Sequence, residues 1–106
     1  MPLGKSRYPF TGKMVEGAPR DMGVYMLYRG ERVIYIGRAM GAKQGGGSTI
    51  YSRLQEHKSG GVCECSRQAT HYSWEIVLQP QLRELELLQE QRDAAGELPP
   101  CNAHFA

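Results

Sequence analysis

The sequence predicts an α+β domain: a small, mainly antiparallel three-stranded sheet in β-β-α-β-α order with flanking helices. Three observations carry this. Residues 24–27 and 33–36 are β-rich runs separated by Arg29-Gly30-Glu31, a hairpin signature. Residues 71–78, HYSWEIVL, alternate and are rich in aromatic and β-branched side chains, which suits a third strand. Residues 80–95 begin on Pro80 and run into Gly96, with Pro99-Pro100 beyond, the punctuation of a helix that starts and stops sharply.

The remaining elements follow in order. Residues 1–21 mix glycine, proline, lysine and arginine without apolar periodicity, so they read as a basic, irregular N-terminal arm, and residues 22–106 as the folded domain. Residues 38–48, RAMGAKQGGGS, carry four glycines and form a loop. From Thr49 to about Lys58 a short helix is expected, with Ile50 and Leu54 on one side and Gly60-Gly61 ending it. On the last helix Leu82, Leu85, Leu88 and Ala95 fall within an arc of roughly 140°, the face expected to lie on the sheet.

At 106 residues the chain is one domain by length, able to bury one modest core. Its apolar content of 41% and charged content of 23% argue against wholesale disorder. The net charge of +2 is unevenly spread: residues 1–58 hold ten Lys/Arg against four Asp/Glu, and residues 59–106 three against seven. A basic surface that meets a polyanion, with carboxylates supplied from the second half, is one consequence; an ordinary solvated charge mix is the other. No apolar run is long enough for a signal peptide or a membrane span, so a cytoplasmic protein with no membrane partner is expected.

Cys63, Cys65 and Cys101 are odd in number and fit no secreted framework, which favours free thiols in a reducing compartment. Together with His104 they are candidate zinc ligands. The single-residue gap of Cys63-x-Cys65 is poor geometry for a structural knuckle.

Five separated elements stand in a telling order: Gly23-Val24-Tyr25; Tyr35-Ile36-Gly37 followed by Arg38-Ala39; Arg53-x-x-x-His57; Leu87-Leu88-Gln89-Glu90; and Asn102. Across residues 22 to 103 this pattern resembles the GIY-YIG nuclease family. The resemblance implies the β-β-α-β-α fold and hydrolysis of DNA phosphodiesters with one divalent metal, usually Mg²⁺, with Mn²⁺ able to substitute. It makes Tyr25 the general base or water-positioning group, Tyr35 its partner or a phosphate ligand, and Glu90 the metal ligand.

The residue types suit that chemistry. Phosphodiester cleavage needs an activated water, charge stabilisation on the phosphate oxygens and support for the leaving oxygen. A phenol ionises near pH 10, so it serves as a base only among cations. Arg38 and Arg53 are the candidates, with Lys43 a third. Arg53 and His57, four apart on one helical face, offer a planar fork for phosphate and a group for proton transfer, substrate contact or packing. Glu90 can hold magnesium with phosphate and water completing the shell. Asn102 is expected to brace the site and to contact DNA.

Strand parity gives a geometric test. With a two- or four-residue hairpin loop, Tyr25 and Tyr35 point to opposite faces; a three-residue loop or an equivalent bulge brings them to one face. The odd loop or the bulge is expected. A metal-dependent endonuclease acting on duplex, branched or single-stranded DNA, alone, as a homodimer or with a targeting partner, is the leading expectation. A nucleic-acid-binding module without turnover is the alternative.

Overall fold

The computed structural model describes residues 7–41, 48–61 and 64–102. Its elements are β1 (Tyr8–Pro9), α1 (Gly12–Val15), β2 (Gly23–Arg29), β3 (Arg32–Ala39), α2 (Ile50–Lys58), α3 (Glu64–Arg67), β4 (His71–Ile76) and α4 (Pro80–Ala95). Among the described residues the sheet has four strands in the order β1-β4-β2-β3, every pair antiparallel.

The fourth strand corrects the expected count of three, and it comes from the segment read as an irregular arm. Tyr8 and Pro9 pair with Tyr72 and His71, Phe10 donates its N–H to Thr70 O at 2.9 Å, and Phe10, Val15 and Ala18 are core residues. Two residues of strand and one helical turn are too short for a periodic signature, so their apolar contacts do not show in the sequence. The same segment anchors α2, because the N–H groups of Ile50 and Tyr51 donate to Asp21 O and Pro19 O. Thr49 and Ser52 form a reciprocal capping box there. One turn of helix, α3, was likewise not expected.

Helices cover both faces of the sheet. Tyr25, Leu27, Tyr35 and Tyr72 pack with Ile50 and Leu54 of α2 and with Phe10 and Val15, while Val24 and Ile36 pack with Leu87 of α4. α4 spans the expected residues, with Gly96 at φ +83° as its left-handed terminator. Its buried face is not the expected one. Leu82 and Leu85 are 52% and 58% exposed, and the helix is rotated to bury Pro80 and Leu87. Two charge-assisted contacts accompany this rotation: Arg83 Nε to Glu75 Oε1 at 2.7 Å and Arg38 Nη1 to Glu84 Oε1 at 2.6 Å.

Strand β3 lies at the sheet edge, and its outer backbone groups are not left to solvent. The Ile36 N–H donates to Asn102 Oδ1 at 2.8 Å, Asn102 Nδ2 donates to Ile36 O at 2.9 Å, and the Cys101 N–H donates to Ile34 O at 2.8 Å. Cys101 is also joined to Cys65 by a disulfide with Cα atoms 5.6 Å apart. This overturns the expectation of free thiols at these two positions and leaves neither available as a zinc ligand. Residues 36 apart carry no pairing signal in a sequence; the fold brings the turn after α4 beside α3. Cys63 and His104 lie outside the described residues.

Candidate active site

The hairpin settles the parity question through a bulge. Arg29 pairs with Arg32 across a two-residue turn, Gly30-Glu31, with Gly30 at φ +63°. Between Leu27 and Tyr28 the register shifts: Tyr28 opposes Val33, but Leu27 opposes Tyr35 and Tyr25 opposes Gly37. Ile34 is the extra residue. Without it Tyr25 would oppose Ile36 and the two phenols would point to opposite faces. With it, Tyr25 and Tyr35 share a face as diagonal neighbours, ring centroids 6.1 Å apart. Gly37 makes room for this. A Cβ there would stand 2.5 Å from Tyr25 Cζ and 2.7 Å from Tyr35 Cε2, so no larger residue fits without moving a ring.

From α2, His57 and Arg53 reach the same place. Tyr25 Oη is 2.8 Å from His57 Nε2, and His57 Nδ1 is 2.7 Å from Ser66 Oγ of α3. The His57 ring lies 4.6 Å from the Tyr35 ring between centroids. Tyr25, His57 and Ser66 are each 0% exposed. Burial lowers the His57 pKa to about 3, with the Arg53 charge adding to the effect, so the imidazole is neutral at physiological pH. Burial also pushes the Tyr25 hydroxyl well above its ordinary range; the neighbouring Tyr35 phenol raises it further, while Arg53 pulls it down by charge and hydrogen bond. Tyr35 is raised too, chiefly by burial and against the pull of Arg53, with the Glu84 carboxylate a further raising influence.

Tyr35 and Arg53 are the members of this group that reach the surface. They line a polar hollow of about 310 Å³ with Arg38, Met40, Ser48 and Glu84, at the β3 edge between α2 and α4. Arg38 Nη1 bonds Glu84 Oε1 at 2.6 Å, and Arg53 Nη1 bonds Glu56 Oε1 at 2.7 Å. A guanidinium has five N–H donors, so each arginine keeps donors for an incoming anion after these contacts. The Gly41 N–H donates to Ser48 O at 2.7 Å beside the hollow, and residues 42–47 of the expected glycine-rich loop lie outside the described residues.

The structure therefore brings together Tyr25, Tyr35, Arg38, Arg53 and His57 of the expected set. Glu90 is not among them: its side chain is 58% exposed and its charge faces Arg83 at 4.0 Å. Glu84 occupies the hollow instead, six residues nearer the start of α4, with a side chain only 14% exposed. The rotation of α4 decides this, and the leucine pattern concealed it. Asn102 places both ends of its amide on the Ile36 backbone, so it braces β3 rather than facing the hollow. Lys43 lies outside the described residues. Glu84, Ser48 and Ser66 are site members that the sequence did not reveal; none of them stands in a motif.

The donor set can be judged for a divalent cation. Among the described residues no group of three His, Cys, Asp or Glu forms a cage. The hollow offers one carboxylate with the hydroxyls of Tyr35 and Ser48, all hard oxygen donors. That suits magnesium held by one protein carboxylate with phosphate and water, and not a self-sufficient metal centre.

Taken together, sheet, helices and hollow define a GIY-YIG-like fold. A crystal structure of the GIY-YIG N-terminal endonuclease domain of UvrC from Thermotoga maritima, a tyrosine-to-phenylalanine point mutant bound to its catalytic divalent cation, matches with a TM-score of 0.57 at 22% sequence identity. The match covers 76% of this chain and 87% of that one, and at such identity it establishes the fold. No protein-family model matches the sequence, and no curated protein matches it.

Proposed function

We propose that this chain is a divalent-metal-dependent endonuclease that hydrolyses phosphodiester bonds in DNA. The observation that carries the reading is the convergence of one phenol, two guanidinium groups and one carboxylate on a single open hollow at the sheet edge, with the phenol of Tyr25 buried directly behind that of Tyr35. The GIY-YIG-like fold supports it, since the matching domain is an endonuclease bound to a catalytic divalent cation. Among the described residues no helix is long and apolar enough to cross a membrane.

In this reading the scissile phosphate enters between Arg38 and Arg53, whose planar forks match its oxygens. Its negative charge competes with Glu84 for Arg38, and the carboxylate is released toward the hollow. Glu84, Tyr35 and Ser48 would hold the cation, Mg²⁺ or Mn²⁺, which when bound supplies charge stabilisation at the phosphate and its leaving oxygen. Tyr35 positions the attacking water. Tyr25 and His57 lie one layer deeper and hold Tyr35 and its proton. Tyr25 and Tyr35 share a hydrogen bond that lowers the Tyr35 pKa and raises that of Tyr25, so Tyr35 is the easier of the two to ionise. Arg53 assists, because it favours the phenolate of both.

A second reading, a nucleic-acid-binding module without turnover, has one observation in its favour: burial moves both phenols away from the ionised form a base requires. One experiment separates the two. The protein is incubated with supercoiled, linear, branched and single-stranded DNA in Mg²⁺, in Mn²⁺ and in chelator, beside Tyr35→Phe and Arg53→Ala. Cleavage that needs the metal, with binding retained and cleavage lost in Tyr35→Phe, is the expected result. Binding without cleavage on every substrate in either metal would establish the second reading. The same substrates show whether the chain cuts single strands or duplexes, and sedimentation on DNA shows whether it pairs. We place its action in the cytoplasm.

A further inference from the structure

The hydrogen-bond chain behind the phenols runs through His57 to Ser66, whose Oγ meets His57 Nδ1 while His57 Nε2 meets Tyr25 Oη. A neutral imidazole carries one N–H, and the partner at each nitrogen decides which position holds it. Ser66 therefore sits where it can fix both the orientation of the His57 ring and the direction of its bond to Tyr25.

The backbone around Ser66 is tied to the sheet edge. It lies in α3, a single helical turn, and so short a helix has little stability of its own. The adjacent residue, Cys65, is disulfide-bonded to Cys101. Cys101 is itself fixed to the edge strand by its N–H bond to Ile34 O, and its neighbour Asn102 clamps Ile36 along the same edge. The cross-link thus ties Cys65, the residue beside Ser66, to a turn that is hydrogen-bonded to β3, the strand that carries Tyr35.

We infer that Ser66 is a positioning residue that sets the tautomer of His57 and through it the phenol of Tyr25, and that the Cys65–Cys101 disulfide keeps Ser66 in place, so that opening it weakens the site. Loss of cleavage on opening rests on the endonuclease reading; the state of the His57 ring does not. The opening step is an ordinary exchange. A dithiol gives two electrons and two protons, the S–S bond becomes two thiols, and the dithiol closes to its own disulfide. In a reducing compartment the glutathione pool supplies the same equivalents, which makes the site responsive to redox state.

The test uses the full chain labelled with ¹⁵N in histidine, with His57→Gln to assign the His57 signals. Ring-nitrogen shifts are recorded at pH 7 for the oxidised wild type, for the wild type after dithiothreitol with free thiols counted, and for Ser66→Ala. Turnover and KM on plasmid DNA are measured for the same three samples. The expected result is one neutral tautomer in the oxidised wild type and averaged tautomers in the other two. Turnover falls about tenfold with KM within about twofold, the scale of losing one buried hydrogen bond. Identical His57 shifts in oxidised wild type and Ser66→Ala overturn the inference. Should Ser66→Ala fail to fold, unchanged shifts after complete reduction of the wild type overturn it instead. Altered shifts in a protein that cuts nothing support the positioning role and sink the endonuclease reading.

Discussion

Tyr25 and Gly37 are direct cross-strand partners, and the ring of one occupies the space above the Cα of the other. The bulge at Ile34 makes them partners, and the missing side chain at Gly37 lets the Tyr25 hydroxyl reach His57. Gly37→Ala is therefore expected to push the Tyr25 ring aside, break the 2.8 Å contact with His57 and destabilise the fold by about 1–3 kcal/mol, the usual cost of overpacking. Urea unfolding with Tyr25→Phe,Gly37→Ala as a companion checks the cause. The double variant lacks the hydroxyl that lies nearest the added methyl, so it should lose less than the two single changes added together. Strict additivity would mean that the ring and the methyl do not collide.

Glu84, not Glu90, lines the hollow. Glu84→Gln keeps the volume and removes the charge, and is expected to lower metal-dependent plasmid nicking by at least about a hundredfold, as loss of a key charge-stabilising group does. Glu90→Ala should cut within about twofold of wild type, since its exposed ion pair with Arg83 contributes little. A Glu90→Ala protein that is dead while Glu84→Gln still nicks DNA would reverse the assignment of the metal ligand. Stability of both variants by thermal melt guards against a trivial explanation.

These two cases show where the sequence was readable. Strands β2, β3 and β4, helices α2 and α4 and the two tyrosine signatures announce themselves through β-branched runs, caps and glycines, all local properties. The bulge was expected because the chemistry asked for both phenols on one face. What stayed hidden depends on rotation and distance: the turn of α4 that exposes Leu82 and selects Glu84, the pairing of Cys65 with Cys101, and the use of Asn102 as a clamp on Ile36. Each is set by what lies opposite in space, and no spacing along the chain encodes it.

The N-terminal segment supplies an edge strand, core residues and the acceptors for the first N–H groups of α2. Phe10 is 3% exposed and packs edge-on against Tyr72 at 6.1 Å between ring centroids. Phe10→Ala should cost about 3–5 kcal/mol, the range for emptying a buried aromatic site. That is a large fraction of the stability of a small domain. A midpoint in urea unchanged from wild type would restore the view of this segment as a dispensable arm. Cleavage below the unfolding transition should survive, because Phe10 does not line the hollow.

His57 gives the fold a pH dependence of definite sign. In the folded chain burial and the Arg53 charge hold its pKa at about 3, whereas in the unfolded chain it protonates near its ordinary value of about 6.5. Between these limits the unfolded state binds one proton more, so the stability present above pH 6.5 is lost as pH falls, by about 1.4 kcal/mol per unit. From pH 7 to pH 5 the loss assigned to His57 is about 2 kcal/mol. Carboxylates add their own slope, mostly at lower pH, so the informative quantity is the difference between wild type and His57→Gln. The variant is less stable at pH 7 for want of the imidazole contacts, yet its stability should fall less steeply on acidification, and the two curves should converge toward pH 5. Urea unfolding at pH 7, 6 and 5 reads this directly. Parallel curves would mean that His57 takes up its proton while folded, and that the ring between Tyr25 and Ser66 is open to water.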